Sequence, residues 1–160
     1  MNKKEWLDKL YYDYGNQNYD FELCAMYKKG KETIASKWKK YSKIVTSLNP
    51  SQSEELWRFN NRTILPNEIV LDIEDPKRYS GIYNELIKRD FDFLAYKTGS
   101  KGYHIHIFFK HKFQEKNKSY FINKFGTDML KAGKRTMIAL EFCPHWKTGN
   151  EKELIYGKIK

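Results

Sequence analysis

Thr98-Gly99-Ser100-Lys101-Gly102-Tyr103-His104-Ile105-His106-Ile107-Phe108-Phe109 joins a small polar turn to an apolar strand. Side chains two apart in a strand share a face. His104 and His106 therefore point one way, while Tyr103, Ile105 and Ile107 point the other and read as core. Gly99 and Gly102 let the backbone come close to another group, typically a phosphate, and Lys101 adds a charge for it. Taken alone, the stretch marks a metal site, a phosphate site, or a hairpin loop before a strand that happens to carry two histidines.

The flanks set this strand in a sheet. Upstream, Glu68-Ile69-Val70-Leu71-Asp72-Ile73-Glu74 reads as a buried strand ending in acids, stopped by Asp75-Pro76. Residues 79–90 fit an amphipathic helix, and 91–96 a strand that runs into the glycine turn. Downstream, 110–117 is a polar, basic turn region, 118–131 a second helix and Gly133-Lys134-Arg135 its break. Thr136 to Phe142 reads as a strand, and Leu154-Ile155-Tyr156 as a last one. Strand, helix, strand, strand, helix, strand is the order of an RRM-like split βαβ sheet with helices on one face, an α/β (α+β) class.

The first third reads differently. Residues 3–14, 20–29 and 31–48 place apolar side chains at helical spacing, and the last carries Lys31, Lys37, Lys39, Lys40 and Lys43 around Ile34, Trp38, Tyr41 and Val45. Asn49-Pro50-Ser51 is expected to end that helix, and 53–59 is ambiguous. The expectation is one domain of 160 residues, with an N-terminal helical layer over 1–65 and an RRM-like core over 66–157.

Apolar residues make up 40% of the chain and aromatics 16%, which excludes a disordered polymer. The net charge of +10 favours a polyanionic partner, and twelve Tyr and four Trp among the lysines favour nucleic acid over a membrane, because bases stack on aromatic rings. No apolar run reaches the roughly 18 residues of a membrane span, and no secretory signal is visible, so a cytoplasmic protein is expected. Cys24 and Cys143 cannot form a CxxC-type zinc site, and no structural zinc is expected.

Asp72 and Glu74, two apart, share a face. Adjacent carboxylates repel unless a cation lies between them, and hard divalent ions such as Mg²⁺ or Mn²⁺ suit oxygen donors. A strand ending in solvated acids is the plain alternative.

Together, the acid pair and the turn resemble the archaeo-eukaryotic primase superfamily, whose first motif is an apolar strand ending in two acids separated by one residue. Its second, S-G-x-R/K-G-x-H, is similar to Thr98-Gly99-Ser100-Lys101-Gly102-Tyr103-His104, with Thr for Ser. A third region, Met137-Ile138-Ala139-Leu140-Glu141-Phe142-Cys143-Pro144-His145-Trp146-Lys147-Thr148-Gly149, resembles the H-x-K-T-G segment of the primase catalytic small subunit. Ala139 stands where that family often carries a basic residue, and the zinc-binding cysteines of cellular subunits have no counterpart. The chain looks like a minimal catalytic core of the kind found in prokaryotic, viral or plasmid genomes.

The resemblance implies a DNA primase or primase-polymerase, a nucleotidyltransferase that makes or extends primers on single-stranded DNA from NTPs or dNTPs, with a helicase or accessory subunit as a further partner. It implies a two-metal Mg²⁺ or Mn²⁺ site held by Asp72, Glu74 and Asp128, with Glu141 as the alternate third acid. It implies nucleotide contacts from Thr98, Ser100, Lys101, Gly102, His104, His145, Lys147 and Thr148. One rival uses the same strand: His104 and His106 also resemble the HUH motif of rolling-circle nucleases and relaxases, with Tyr120 as nucleophile. Another is a non-catalytic RRM-like module that binds nucleic acid through its aromatics.

Overall fold

The computed structural model describes residues 1–45, 56–133 and 136–160. In chain order these form helix α1 (Lys3–Lys9), which runs on into a π turn (Leu10–Tyr14), strands β1 (Glu22–Cys24), β2 (Met26–Lys29), β3 (Glu32–Ala35) and β4 (Lys39–Lys40), and a short helix α2 (Tyr41–Val45). Strands β5 (Asn61–Thr63) and β6 (Glu68–Ile73), helix α3 (Tyr79–Lys88), strands β7 (Leu94–Lys97) and β8 (Tyr103–Phe108), helix α4 (Glu115–Phe125), and strands β9 (Met137–Ala139) and β10 (Glu153–Tyr156) follow.

Four strands pair antiparallel in the order β10-β7-β8-β6. Alternation gives this sheet two different faces. Ile69, Leu71 and Ile73 of β6 join Ile105 and Ile107 of β8 in a core closed by Ile82 and Leu86 of α3 and Ile122 and Phe125 of α4. The expected helix-covered face is therefore present, with β6-α3-β7 as a split βαβ unit whose middle place is taken by β8. The other face meets a second core, built on Trp6, Leu7 and Leu10 of the first helix with Phe21, Leu23, Tyr41 and Leu140.

The N-terminal layer departs from expectation. Helix α1 is present and begins with a capping box, Asn2 and Glu5 bonding each other's backbone N–H. Residues 20–29, expected as a helix, instead hold β1 and β2; of the helix expected over 31–48, Glu32–Ala35 and Lys39–Lys40 are strands, Tyr41–Val45 is helical as expected, and 46–48 lie outside the described residues. Gly30, at φ +64°, opens the two-residue turn between β2 and β3, a conformation that hairpins need and helices reject. Strands β4, β1, β5 and β9 then form a second antiparallel sheet in that order. The expected stop at Asn49-Pro50-Ser51 lies outside the described residues.

Two further boundaries move. Helix α4 ends at Gly126, which takes φ +65° while the Arg78 guanidinium donates to the Phe125 and Gly126 carbonyls. A 3₁₀ turn, Met129–Ala132, replaces the rest of the expected helix, and residues 134 and 135 of the expected break lie outside the described residues. The strand expected over Thr136 to Phe142 shortens to β9 and pairs with β5 in the second sheet, because Phe142 turns the chain at φ +59°. The fourth strand of the first sheet is β10, beside β7.

Candidate active site

The register of β6 against β8 places Asp72 directly opposite His104. Asp72 Oδ1 lies 3.4 Å from His104 Nε2, and Asp72 Oδ2 lies 3.7 Å from Lys131 Nζ on the 3₁₀ turn. Glu74, two residues beyond Asp72, is exposed. Both acids open into a cleft of about 280 Å³ between the ends of the two sheets. One wall carries Asp72, Glu74, Thr98, Ser100, Lys101, His104, Lys131 and His145; Asn61 and residues 137–139 form the other.

Burial drives the His104 pKa down to about 3, Lys152's charge adds to this, and Asp72 opposes it. Burial works to raise the Asp72 carboxyl, but His104, Lys131 and Lys152 outweigh it and hold it below its ordinary value. The pair at neutral pH is thus an ionised carboxylate beside a neutral imidazole.

Two glycines lock three segments of the sequence into this site. The 98–102 turn is closed by Thr98 N–H donating to the Gly102 carbonyl at 3.1 Å. Gly102 sits at φ +83°, and a Cβ there would lie 2.0 Å from the Ile73 carbonyl at the end of the acid strand. A Cβ on Gly99 would lie 2.1 Å from the Asn150 carbonyl and 3.0 Å from His145 Cβ. The space expected for a phosphate behind these glycines is filled by the protein's own backbone, and the side chains of Ser100 and Lys101 face the cleft instead. The 143–150 loop is held by His145 N–H donating to the Asn150 carbonyl (2.8 Å), Gly149 N–H to the His145 carbonyl (2.8 Å) and Lys147 N–H to His145 Nδ1 (3.1 Å). Thr148 Oγ1 donates to the Gly99 carbonyl. Thr148 therefore fastens the loop to the turn, and Lys147 Nζ lies 5.0 Å from the Trp146 ring centroid; neither lines the cleft.

The two candidates for a third acid also lie away from the cleft lining. Asp128 caps the 3₁₀ turn, its Oδ1 accepting from Leu130 N–H at 3.0 Å. Glu141 is fully buried beneath the site, with Arg62, Trp6 Nε1 and Lys152 on its oxygens. Among the described residues no group of three or more His, Cys, Asp or Glu side chains is set to hold an ion. What the cleft offers is Asp72 and Glu74, an oxygen pair whose Asp72 member meets only a neutral histidine at 3.4 Å and a lysine at 3.7 Å, which fits one hard divalent ion whose other positions are filled by water and phosphate oxygens.

Sequence reasoning missed the buried charges under the site. Arg62 binds Glu68 through two nitrogens at 2.8 and 2.9 Å and Glu141 through two at 3.0 Å. Lys152 Nζ lies 3.4 Å from Glu141. Burial works to raise both carboxyls, and Arg62 overrides it and holds both well below the carboxylate range. His106 Nδ1 lies 2.7 Å from Glu68, and burial keeps its imidazole neutral. Two cations face two anions, which is the condition for tolerating such burial. Asn61 and Lys131 were missed as well: nothing local in the sequence ties either to Asp72.

The histidines of the rival nuclease reading face separate carboxylates, His104 facing Asp72 and His106 facing Glu68. Tyr120, 71% exposed, sits on α4, which covers the opposite face of the sheet. The nuclease site is not assembled.

No family model matches the sequence, and no curated protein does. Among solved structures, the chain is similar to the AEP domain of the cyanophage S-2L primase-polymerase (PrimPol), with a TM-score of 0.63 and 15% identity, over 99% of this chain and 90% of that one. This similarity shows that the chain shares the fold of that domain. Among the described residues no helix is long and apolar enough to cross a membrane.

Proposed function

We propose that this chain is a primase-polymerase that transfers nucleotides onto single-stranded DNA templates in a metal-dependent reaction. The convergence of three segments on one cleft supports this reading: the acids of β6, the 98–102 turn with His104, and the 143–150 loop with His145. Their mutual packing at Gly99 and Gly102 leaves little freedom to place them otherwise.

Asp72 and Glu74 would hold Mg²⁺ or Mn²⁺, which when bound activates the 3′-hydroxyl and stabilises the departing pyrophosphate. Lys101, Ser100 and His145 line the same cleft and grip the triphosphate; charge-assisted bonds to phosphate are the strong kind. His104, neutral and held opposite Asp72, keeps that carboxylate ionised and oriented. Lys131 supplies a positive charge beside Asp72 that balances the site between turnovers. Asn61 and β9 form the wall against which the nucleotide is held.

The test is incubation with primed and unprimed single-stranded DNA, all nucleotides and either metal, read on a gel. Extended or new chains are expected. Asp72→Ala should abolish synthesis and leave DNA binding intact; synthesis retained in that variant refutes the assignment.

A further inference from the structure

Hairpin β2–β3 belongs to neither core, and nearly all its residues are exposed. Such a hairpin is marginal unless something holds it. Its base is tied to the cleft wall: Met26 N–H donates to Asn60 Oδ1 at 2.8 Å and Asn60 Nδ2 donates back to the Met26 carbonyl at 3.0 Å. Ala25 N–H donates to Ser36 Oγ at 2.8 Å. Asn60 adjoins Asn61, a lining residue of the cleft. The hairpin face toward the 143–150 loop puts Lys28 Nζ 6.0 Å from the Trp146 ring centroid, and Trp146 follows His145, another lining residue. Lys29 and Lys31 stand at the tip. Among the described residues, Lys28, Lys29 and Lys31 have no carboxylate partner.

We propose that this hairpin and Trp146 form the surface that holds single-stranded DNA beside the cleft. Lys28, Lys29 and Lys31 take the phosphates. A base stacks on Trp146 in place of one of the ammonium groups over that ring, and the freed lysine moves to the flanking phosphate. A single strand is the occupant, because it alone offers both unpaired base faces and a polyanionic backbone; a duplex hides the base faces. The assignment rests on the nucleotidyl-transfer reading for the strand's purpose there, but its test needs neither metal nor nucleotide.

The measurement is fluorescence anisotropy of labelled oligo(dT) with the full chain across a salt series. For single strands the slope of log affinity against log salt is about −0.7 per phosphate neutralised. Replacing Lys28, Lys29 and Lys31 together by Gln should flatten that slope by about 2. The matched control, Lys88→Gln with Lys116→Gln and Lys124→Gln on α3 and α4, removes the same charge from the far face and should leave the slope unchanged. Trp146→Ala should weaken binding about tenfold, and Trp146→Phe should restore most of it. Equal flattening in both lysine variants, or none in the hairpin variant, overturns the proposal. So does a Trp146→Ala variant that weakens dTTP binding as much as oligo(dT) binding, which places the ring in the nucleotide pocket. Wild-type protein that shows the predicted slopes but never incorporates nucleotides refutes the primase reading and leaves the DNA surface standing.

Discussion

Gly99→Ala is the sharpest probe of how the site is assembled. The added Cβ would lie 2.1 Å from the Asn150 carbonyl oxygen, a backbone atom that cannot rotate away. Ordinary contact begins at 3.4 Å, so the 143–150 loop must retreat by about 1.3 Å, carrying His145 with it. The φ of Gly99 is not in the left-handed region, so the backbone itself is unstrained and the whole effect is displacement. Overpacking of this kind costs about 1–3 kcal/mol of stability. A shift of about 1 Å at a reacting centre costs about 100-fold in rate. Two controls separate these effects. A Cβ on Gly149 meets nothing within 4 Å but sits at φ +74°, so Gly149→Ala carries strain of about 1–2 kcal/mol without the clash. Gly81, inside α3, also has open space around it, and Gly81→Ala should stabilise by about 0.5–1 kcal/mol. Thermal melts and single-nucleotide incorporation rates, measured on all three, give the answer. Gly99→Ala with wild-type incorporation at matched folding would show that the loop does not need its seat on the turn, and the convergence argument would fail.

Other outcomes follow from the same geometry. Arg62→Met takes the guanidinium from both buried carboxylates, leaving Glu68 without its cation and Glu141 with Lys152 alone, and should cost about 3–5 kcal/mol in urea unfolding; a loss under about 1 kcal/mol would mean the network is not buried as described. Acid should destabilise the chain in two stages. His104 and His106 have depressed folded values, burial being the largest cause, so their loss begins as pH falls through the unfolded value of about 6.5. Glu68 and Glu141 stabilise fully above about pH 4.3 and lose that contribution as pH falls through their depressed folded values. Urea midpoints that stay flat between about pH 7.5 and pH 5 would contradict the neutral, buried histidines. Lys101→Ala should raise the nucleotide KM with oligo(dT) affinity unchanged, and an effect on DNA alone would move Lys101 to the template side.

The central sheet was legible because alternation is a short-range property. Ile105 and Ile107 against His104 and His106 can be read from four consecutive positions, and the structure keeps both faces as read. The N-terminal layer was misread for a complementary reason. Leu23, Met26, Tyr27, Ile34 and Trp38 satisfy helical spacing almost as well as strand spacing. What decides between them is remote: β1 finds its partner β5 only at Asn61 and Arg62, and β9 joins from Met137 onward. The one local clue was Gly30-Lys31, a two-residue turn of the kind hairpins favour.

At the site, Asp72, Glu74, His104 and His106 could be named from spacing, and Asp128, Glu141 and His145 only from the family resemblance; their division of labour could be read from neither. Glu141 and Asp72 are both acids in or beside strands, and sequence pattern cannot rank them as metal donors. Arg62 ranks them physically: from another strand it occupies both Glu141 oxygens, whereas Asp72 has only a histidine at 3.4 Å and a lysine at 3.7 Å. An acid whose oxygens are already bonded to a guanidinium cannot release them to a cation without breaking a buried pair. A loosely held acid at a cleft can. The same reasoning assigns the glycines. Gly99 and Gly102 read as room for a ligand, yet that room holds the Asn150 and Ile73 carbonyls. The small side chains here serve to pack three loops tightly enough that Asp72, Lys101 and His145 face one volume. Substituting either glycine should therefore impair nucleotide transfer through geometry, with every charged group still present.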